Sequence, residues 1–298
     1  MRSLSHSRLL NARNGSPMAI RQLVLVLAVL TGCARAEDEA AQSLSETSRP
    51  STKAFIDTVS KGQLVDLTHP FDEQTIYWPT ESGFILEQGN NGITDKGYYY
   101  AANRFRAAEH GGTHIDAPIH FHDERHTVDQ IELGRLVGEA VVVDVSAKCA
   151  ADPDYQISVA DLRSWEEQHG RQLVDVIVLL RTGWSERWPD RKSYLGTDSR
   201  GPEAVAELHF PGLAPPAAQW LVDHRAPNAV GIDTASIDHG QSTHFESHVT
   251  LCKHNVPAFE NVANLDELPA EGVLVMALPM KIAGGSGGPL RIAALIIK

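Results

Sequence analysis

The chain is 298 residues long and 42% of them are hydrophobic, which is enough for one large globular domain or two small ones. The formal net charge at pH 7 is −12, because 38 Asp and Glu outnumber 26 Lys and Arg. Proteins that bind nucleic acid usually present a basic surface, so this composition argues against nucleic acid as a partner.

The N-terminus has the parts of a secretory signal. Arg21 precedes an apolar run over residues 23–30, and Thr31-Gly32-Cys33 follows. A bilayer span needs about 20 apolar residues, so this run is too short for a transmembrane helix and fits the core of a signal peptide instead. Met18 is an alternative start to Met1, because residues 1–17 add nothing that such a signal requires.

Residues 30–33, Leu-Thr-Gly-Cys, resemble the lipobox of bacterial lipoproteins. This resemblance implies that residues 1–32 are a lipoprotein-type signal peptide and that Cys33 is lipidated and becomes the first mature residue. Membrane contact would then be through the lipid anchor only. The alternative is an ordinary signal peptide cut near Ala34 or Ala36. Both interpretations predict an exported protein, either a bacterial cell-envelope lipoprotein or a periplasmic protein.

Residues 33–53 are rich in Ala, Glu, Ser and Thr and predict a flexible tether. Residues 54–298 show no internal repeat and predict a single catalytic domain. Helices are expected from residue 54, at 159–169 between an N-capping Ser158 and Gly170, and at 215–224. Strands are expected at 65–68, 139–145, 174–181, 229–232, 273–278 and 292–297, with a hairpin or loop over 88–100 and a long loop over 185–210.

Two cysteines remain besides Cys33, at Cys149 and Cys252. Neither belongs to a CxxC pair, so the sequence shows no zinc ribbon and no redox motif of that kind. We expect two buried thiols, and a disulfide between them is the alternative.

The most informative segment is HGGTHIDAPIHF, which runs from His110 to Phe121. Its three imidazoles and one carboxylate, at His110, His114, Asp116 and His120, suit Zn, Mn, Fe or Ni. A straight strand would separate positions i and i+4 by about 13 Å, too far for donor atoms that lie about 2 Å from one ion. The two glycines let the chain bend, and the proline interrupts a helix. The segment predicts a curled loop leading into an extended stretch around a metal ion; a histidine-rich surface loop is the alternative.

This segment matches every fixed position of HxGTHxDxPxHF, the motif of the cyclase family, which includes bacterial kynurenine formamidase and isatin hydrolase. Further similarity extends from about Leu64 to the C-terminus, at residues 66–68, 232–238, 260–265 and 286–291. The resemblance implies a mixed α/β chain with the family's swivelling β/β/α fold, in which β-sheets form a barrel-like core flanked by helices. It also implies a homo-oligomer, dimeric or tetrameric.

The resemblance assigns roles to individual residues. Within the motif, the metal ligands would be His110, His114 and Asp116. His120 would be the catalytic acid and base. The family's later ligands, a His and a Glu twelve residues apart, correspond to His248 and Glu260. Alternatively, Glu260 caps a turn and His248 lies on the surface. A two-zinc arrangement with a bridging Asp, as in the formamidases, and a one-manganese version, as in isatin hydrolase, both remain open.

Further residues are candidates for substrate contacts. Trp78 lies in a turn before a proline, in a region where the resembling enzymes use a Trp to line an aromatic pocket; simple packing is the alternative. Ser236 and Asp238 follow the end of a predicted strand, where site residues often lie, and the alternative for Asp238 is a cap or a turn. The loop Ser286-Gly287-Gly288 offers backbone N–H groups to an oxyanion, or forms a tight turn.

These features predict a metal-dependent hydrolase that cleaves a small-molecule amide, either an N-formyl amide or a cyclic amide such as isatin. A bound metal ion lowers the pKa of water, and an unligated His120 would move protons to the leaving nitrogen. The letters of G-x-S-x-G do occur at residues 284–288, but no predicted helix follows them, and without that strand-to-helix elbow a serine hydrolase is disfavoured. The alternatives are an Fe(II) oxygenase with a 2-His-1-carboxylate triad and a lipid-anchored metal- or ligand-binding protein without turnover.

Overall fold

The computed structural model describes residues 52–297. The predicted signal peptide, Cys33 and the tether up to residue 51 lie outside the described residues. The chain divides into two units, Met1–Ile56 and Asp57–Lys298, and the fold described below is that of the second unit. Among the described residues, no helix is long and apolar enough to cross a membrane.

Within residues 52–297 there are seven α-helices and fourteen β-strands. The helices are α1 (Thr52–Lys61), α2 (Leu133–Leu136), α3 (Ser146–Ala151), α4 (Val159–His169), α5 (Arg191–Leu195), α6 (Pro215–His224) and α7 (Glu246–Lys253). The strands are β1 (Gln63–Asp66), β2 (Ile85–Glu87), β3 (Asn91–Ile93), β4 (Tyr99–Ala101), β5 (Arg104–Arg106), β6 (His114–Asp116), β7 (Val137–Asp144), β8 (Gln156–Ile157), β9 (Ile177–Arg181), β10 (Gly212–Leu213), β11 (Ala229–Ile232), β12 (Ala258–Glu260), β13 (Val273–Pro279) and β14 (Gly287–Ile296).

Seven of these strands close into a barrel. Their order is β14-β13-β7-β9-β11-β12-β6, and β6 pairs again with β14. The strands β7, β9, β11 and β12 are parallel, because helices connect them across one side of the sheet. The other barrel pairings are antiparallel. Strand β1 continues along the same edge of β14 that β6 occupies.

Alternate residues of the central strands face two different cores. In β9, Ile177 and Leu179 belong to a cluster that draws on all seven barrel strands and therefore fills the barrel. Val178 and Leu180 point the other way, into a cluster with the apolar faces of α4, α6 and α7. This alternation follows from the two-residue period of a strand whose two faces are both covered. The barrel with flanking helices confirms the predicted mixed α/β, cyclase-like architecture.

Helix α4 confirms the predicted boundaries. Ser158 is the N-cap and forms a capping box with Asp161, and Gly170 ends the helix with φ +64. Helix α6 and strand β11 also begin and end where the sequence predicts. Cys149 and Cys252 are buried free thiols, as expected.

The prediction of a long irregular loop over residues 185–210 is wrong, because this segment contains short helices. It contains α5 and two short 3₁₀ helices, Trp184–Arg187 and Pro202–Glu207, and it supplies much of a third core around Tyr194 and Phe210. These elements are too short to show a periodic pattern. Strand β14 is also longer than predicted, because its first residues are two glycines and a proline, which are weak strand formers.

Residues 85–106, which we call the arm, form two separate antiparallel ribbons. The outer part of the arm pairs β3 with β4, and its base pairs β2 with β5. This arrangement agrees with the hairpin that the sequence predicts around residues 88–100. Nearly every residue of these four strands is exposed.

Candidate metal centre and active site

Three adjacent strands bring distant residues of the chain to one site. Strand β6 lies between β12 and the beginning of β14 and is antiparallel to both. In this register His114 is directly opposite Glu260. Directly opposed residues place their side chains on the same face of the sheet. The strand pairing therefore explains why Glu260 reaches a site whose other residues belong to the motif.

The two glycines of the motif turn the chain back just before β6. Gly111 has φ +150 and Gly112 has φ +58, which side chains with a Cβ rarely adopt. A Cβ at Gly111 would overlap the ring of Tyr77. The turn brings His110 Nδ1 within 2.6 Å of Asp116 Oδ1. The predicted curled loop leading into an extended stretch is thus confirmed.

The carboxylate of Asp116 lies at the centre of the cluster. Its Oδ1 is 2.6 Å from His110 Nδ1 and 3.2 Å from His114 Nε2. Its Oδ2 is 2.9 Å from His248 Nε2, which is itself 3.0 Å from Glu260 Oε1. Glu260 Oε2 lies 3.5 Å from His114 Nε2. Two groups of side chains have donor atoms close enough for a metal ion, and they share the aspartate: His110, Asp116 and His120, and His114, Asp116 and Glu260.

His248 is oriented by an acidic residue that the sequence did not single out as part of the metal site. Asp238 accepts hydrogen bonds from the backbone N–H groups of Ser247 and His248 at the start of α7, at 2.9 and 3.1 Å. Its Oδ2 also lies 2.6 Å from His248 Nδ1. Nδ1 therefore carries a proton that faces Asp238, and Nε2 is the nitrogen that faces Asp116 and Glu260 and would meet a metal ion. His248 is buried, which excludes the alternative that it lies on the surface.

The charges of the cluster fit a bound divalent cation. Burial raises the pKa of Glu260, and the negative charge of Asp116 adds to this effect. Burial opposes protonation of His114, but the neighbouring charges of Asp116 and Glu260 outweigh it and raise its pKa to about 9. Asp116 and Glu260 are two neighbouring buried carboxylates, and such a pair is stable only when protons or a cation balance the negative charge. The mixture of imidazole and carboxylate donors is typical of Zn and Mn sites.

His120 packs against this cluster and lines the adjoining cavity. It ends a 3₁₀ helix, Pro118–His120, and its ring stacks on His110 with 3.8 Å between centroids. Burial lowers the pKa of His120 to about 4; Asp116 opposes this shift, and His110 and His248 reinforce it. The imidazole is therefore neutral at pH 7 and able to accept a proton.

A cavity of about 360 Å³ is lined by the cluster and by aromatic side chains. Both Trp78 and Ser236 line it, as predicted, and the Trp78 ring lies 6.2 Å from that of Phe245. Phe121 completes this wall, with its ring 4.4 Å from the His248 ring. Phe245 was missed from the sequence because it belongs to no motif, and only the fold brings it to the cavity.

The loop Ser286-Gly287-Gly288, for which an oxyanion role and a tight turn were the two possibilities, runs into strand β14. The Ser286 backbone N–H donates to Glu109 Oε2 at 2.9 Å, so it is already occupied. Gly287 and Gly288 are part of β14 and pair with β6. The glycines are needed for close approach instead, since a Cβ at Gly287 would overlap the ring of His110. Ser286 Oγ lies 2.9 Å from His110 Nε2 and helps to hold that ring.

Comparisons with known proteins agree with this geometry. The model of the Cyclase family matches residues 65–239. An isatin hydrolase of Roseibium aggregatum is 33% identical over 211 residues, 68% of this chain and 77% of the relative. A kynurenine formamidase of Bacillus cereus is 26% identical over 231 residues, 76% of this chain and 94% of the relative.

A solved structure also resembles the chain. Isatin hydrolase A from Labrenzia aggregata, bound to benzyl benzoate, superposes with a TM-score of 0.74 at 30% sequence identity, covering 84% of this chain and all of that one. The family model spans more than half of the 298 residues. The chain therefore belongs to the Cyclase family.

Proposed function

We propose that the protein is a metal-dependent hydrolase that cleaves a non-peptide amide, either an N-formyl amide or a cyclic amide such as isatin. The observation that carries this proposal is the buried cluster in which Asp116 is shared by two groups of metal-binding side chains beside an aromatic cavity. The names of its relatives, isatin hydrolase and kynurenine formamidase, support the reaction class.

In this proposal five side chains hold Zn or Mn, as one ion or two: His110, His114, Asp116, His248 and Glu260. The two oxygens of Asp116 face different candidate ligands, His110 and His114 at Oδ1 and His248 at Oδ2, which supports a two-ion arrangement with a bridging carboxylate. Both metals accept imidazole and carboxylate ligands, so metal analysis must decide between them.

A divalent ion held there would supply a water molecule of lowered pKa and a positive charge beside the substrate carbonyl. His120 accepts one proton from the water as the water oxygen bonds to the carbonyl carbon. It then donates that proton to the leaving nitrogen as the C–N bond breaks, which yields an amine and a carboxylic acid that loses its remaining proton to solvent. Trp78 contacts the aromatic part of the substrate, and Ser236 offers it a hydroxyl group.

The two alternatives receive less support. An Fe(II) oxygenase needs only two histidines and one carboxylate, whereas the cluster holds further imidazoles and a second carboxylate. No relative named above is an oxygenase. A binding protein without turnover has no use for the neutral imidazole of His120 facing the cavity.

Metal analysis and amide hydrolysis by purified variants test the proposal. His114→Ala and Glu260→Gln are expected to lose bound metal and turnover, because each removes a buried donor. His120→Ala is expected to keep the metal and lose turnover. His254→Ala is the control, since this exposed imidazole lies just after α7 and only faces Thr250 O. Full metal content in both ligand variants would overturn the proposed site.

We further propose that the protein is exported and anchored by a lipid on Cys33. The proposal rests on residues 21–33 alone. Cells that express the full chain should contain it in the membrane fraction, and Cys33→Ser should release it. Wild-type protein found only in the soluble periplasmic fraction would contradict lipidation and leave an ordinary signal peptide.

Finally, we propose a homo-oligomer in which the arm packs against a second copy of the chain. An isolated two-stranded ribbon is only marginally stable in water, so the arm needs a packing partner. Seven of its large hydrophobic side chains are exposed: Ile85, Leu86, Ile93, Tyr98, Tyr99, Tyr100 and Phe105. At about 100 Å² each they would bury about 700 Å², close to the roughly 800 Å² per partner of a stable interface.

Sedimentation of two charge variants tests this interface. Tyr99→Asp should dissociate the oligomer, because it places an unpaired charge within the apolar surface of the arm. Leu133→Asp is the control, since Leu133 is 68% exposed, comparable with 61% for Tyr99, but lies outside the arm. A monomeric wild type, or an oligomer that Tyr99→Asp leaves intact, would contradict the proposal.

A further inference from the structure

Asn261, the residue after β12, has every polar atom engaged. Its backbone N–H donates to Thr234 O at 2.8 Å, and its carbonyl accepts from Thr113 Oγ1 at 2.7 Å. Its side-chain Oδ1 lies 2.9 Å from Tyr194 OH, whose single proton it shares with Asp233 O at 3.0 Å, and Nδ2 donates to Gly112 O at 2.7 Å. The residue has φ +52 and is buried. Asn261 thus ties the motif to two other segments of the chain.

The carbonyl that Asn261 holds is also the partner of a candidate metal ligand. His114 Nδ1 lies 3.0 Å from Gly112 O. A carbonyl oxygen can only accept, so it requires the proton on His114 Nδ1 and the N–H₂ side of the Asn261 amide. His114 Nε2 is then the nitrogen left for a metal ion, facing Asp116 and Glu260 at 3.2 and 3.5 Å.

The Gly112 carbonyl needs such support because little else fixes its orientation. Gly111 and Gly112 both have positive φ, and the ordered strand β6 begins only at His114. The carbonyl belongs to the peptide group that joins Gly112 to Thr113, and the glycine on one side lowers the cost of rotating it unless hydrogen bonds hold it. The Gly112 N–H, in the preceding peptide group, donates to Ile76 O at 2.9 Å, and the carbonyl itself is held by the Asn261 amide.

We propose that Asn261 is a positioning residue for the metal site: its amide fixes the Gly112 carbonyl, which in turn fixes the tautomer and direction of the His114 ring. Tyr194, whose hydroxyl lies against Asn261 Oδ1, keeps the amide in place. This inference rests on the proposed role of His114 as a metal ligand. Outer partners of this kind typically change metal affinity by about 10- to 100-fold when they are removed.

The chain provides a matched control for Asn261. Asn264 lies in the same loop with φ +54, and its Nδ2 donates to a backbone carbonyl, Asp66 O, at 2.8 Å. Glycine tolerates positive φ, so Asn261→Gly and Asn264→Gly each remove one amide without backbone strain. Calorimetric titration of the metal-free proteins with Zn or Mn should give a dissociation constant about 10- to 100-fold weaker for Asn261→Gly. Asn264→Gly should match the wild type.

Two further variants and a spectroscopic measurement complete the test. Asn261→Asp keeps the size of the side chain but cannot donate to Gly112 O, so it should weaken metal binding as much as Asn261→Gly. Tyr194→Phe should give a smaller loss in the same direction. The ¹⁵N spectrum of the His114 ring in the metal-free wild type, recorded at a pH high enough to make the ring neutral, should show protonated Nδ1, and the two Asn261 variants should show a mixture of tautomers.

The outcomes separate this inference from the proposed function. If the wild-type protein binds no divalent metal, the proposed metal site itself fails. If the wild type binds metal and the Asn261 variants bind it equally tightly, the positioning role is overturned. Should one Asn261 variant not fold, the other, together with Tyr194→Phe, gives the same comparison, and unchanged affinity in both overturns the inference.

Discussion

His248 is the most constrained side chain of the site, because both of its ring nitrogens face carboxylates. Asp238 lies 2.6 Å from Nδ1, while Asp116 and Glu260 lie 2.9 and 3.0 Å from Nε2. The carboxylate at Nδ1 holds the proton on that nitrogen. It is therefore Nε2, between the other two carboxylates, that a metal ion would meet. It also places the start of α7 at the site, since Asp238 accepts its first N–H groups.

Asp238→Asn is therefore expected to weaken metal affinity by about 10- to 100-fold. An amide can turn its N–H₂ group towards Nδ1 and so favour the wrong tautomer of His248. Asp154→Asn is the control, because Asp154 pairs with His209 at 2.9 Å on the surface, where such pairs contribute little. Calorimetric titration gives both constants, and equal affinity of wild type and Asp238→Asn would contradict the assigned role.

The sequence predicts the positions of the cluster well and its supporting residues poorly. The six predicted metal-site and catalytic residues meet around one carboxylate: His110, His114, Asp116, His120, His248 and Glu260. Four of them lie in one motif, where residue type and spacing carry the signal. For Asp238 the sequence gives a site position at a strand end with capping as the alternative, and it assigns Asn261 no role, because a lone Asp or Asn near a strand end more often caps or turns the chain.

At the scale of elements, the turn before β6 decides where the motif side chains lie. Gly111 has φ +150 and packs its backbone against the ring of Tyr77. Gly92, in the arm, has a similar φ of +156, but a Cβ there would meet nothing within 4 Å. Replacing either glycine with alanine therefore causes similar backbone strain. Only at Gly111 does the new methyl group also overlap a neighbouring side chain.

Gly111→Ala is expected to lower the free energy of unfolding by about 1–3 kcal/mol more than Gly92→Ala, which is the usual cost of overpacking. It should also reduce metal content, because the loop must shift away from Tyr77. Urea unfolding of the metal-free proteins and metal analysis measure the two effects. Equal stability and equal metal content in the two variants would show that the Gly111 turn is not constrained in this way.

Elements with local signals were predicted with correct ends, whereas the pairing partners of the strands had no local signal in the sequence. Helix α4 carries its own signals in Ser158 and Gly170, and α6 begins at a proline. Strand β6 has only three residues, and its identity comes from pairing with β12 and β14. Closure of the barrel therefore depends on contacts between segments far apart in the chain, which no local pattern reveals.

The whole molecule should respond to pH differently with and without metal. Against an ordinary histidine pKa of 6.5, that of His114 is raised to about 9. Its contribution to stability is complete below pH 6.5 and is lost as pH rises through 9; the raised pKa values of His248 and Glu260 act in the same direction. Burial lowers the pKa of His69 and His120 to about 4, so both cost stability as pH falls from 6.5 to 4.

We therefore expect metal-free protein to have its highest melting temperature near pH 6.5, with a decline on both sides. A bound metal replaces the protons on His114 and His248, so the increase in melting temperature on adding metal should grow from pH 6.5 to 9. Thermal unfolding with and without chelator measures both trends. A metal-free protein that becomes steadily more stable from pH 6.5 to 9 would contradict the charge balance of the cluster.

The most direct test of the account is the metal dependence of amide hydrolysis by the purified protein. Isatin and an N-formyl aryl amide serve as substrates, and activity is measured as isolated, after chelation, and after addition of Zn or Mn. We predict that the protein contains stoichiometric divalent metal, that it hydrolyses one of these amides, that chelation abolishes the activity and that one of the two metals restores it. Full hydrolytic activity in the metal-free protein, or metal-loaded protein that hydrolyses neither amide, would contradict the account.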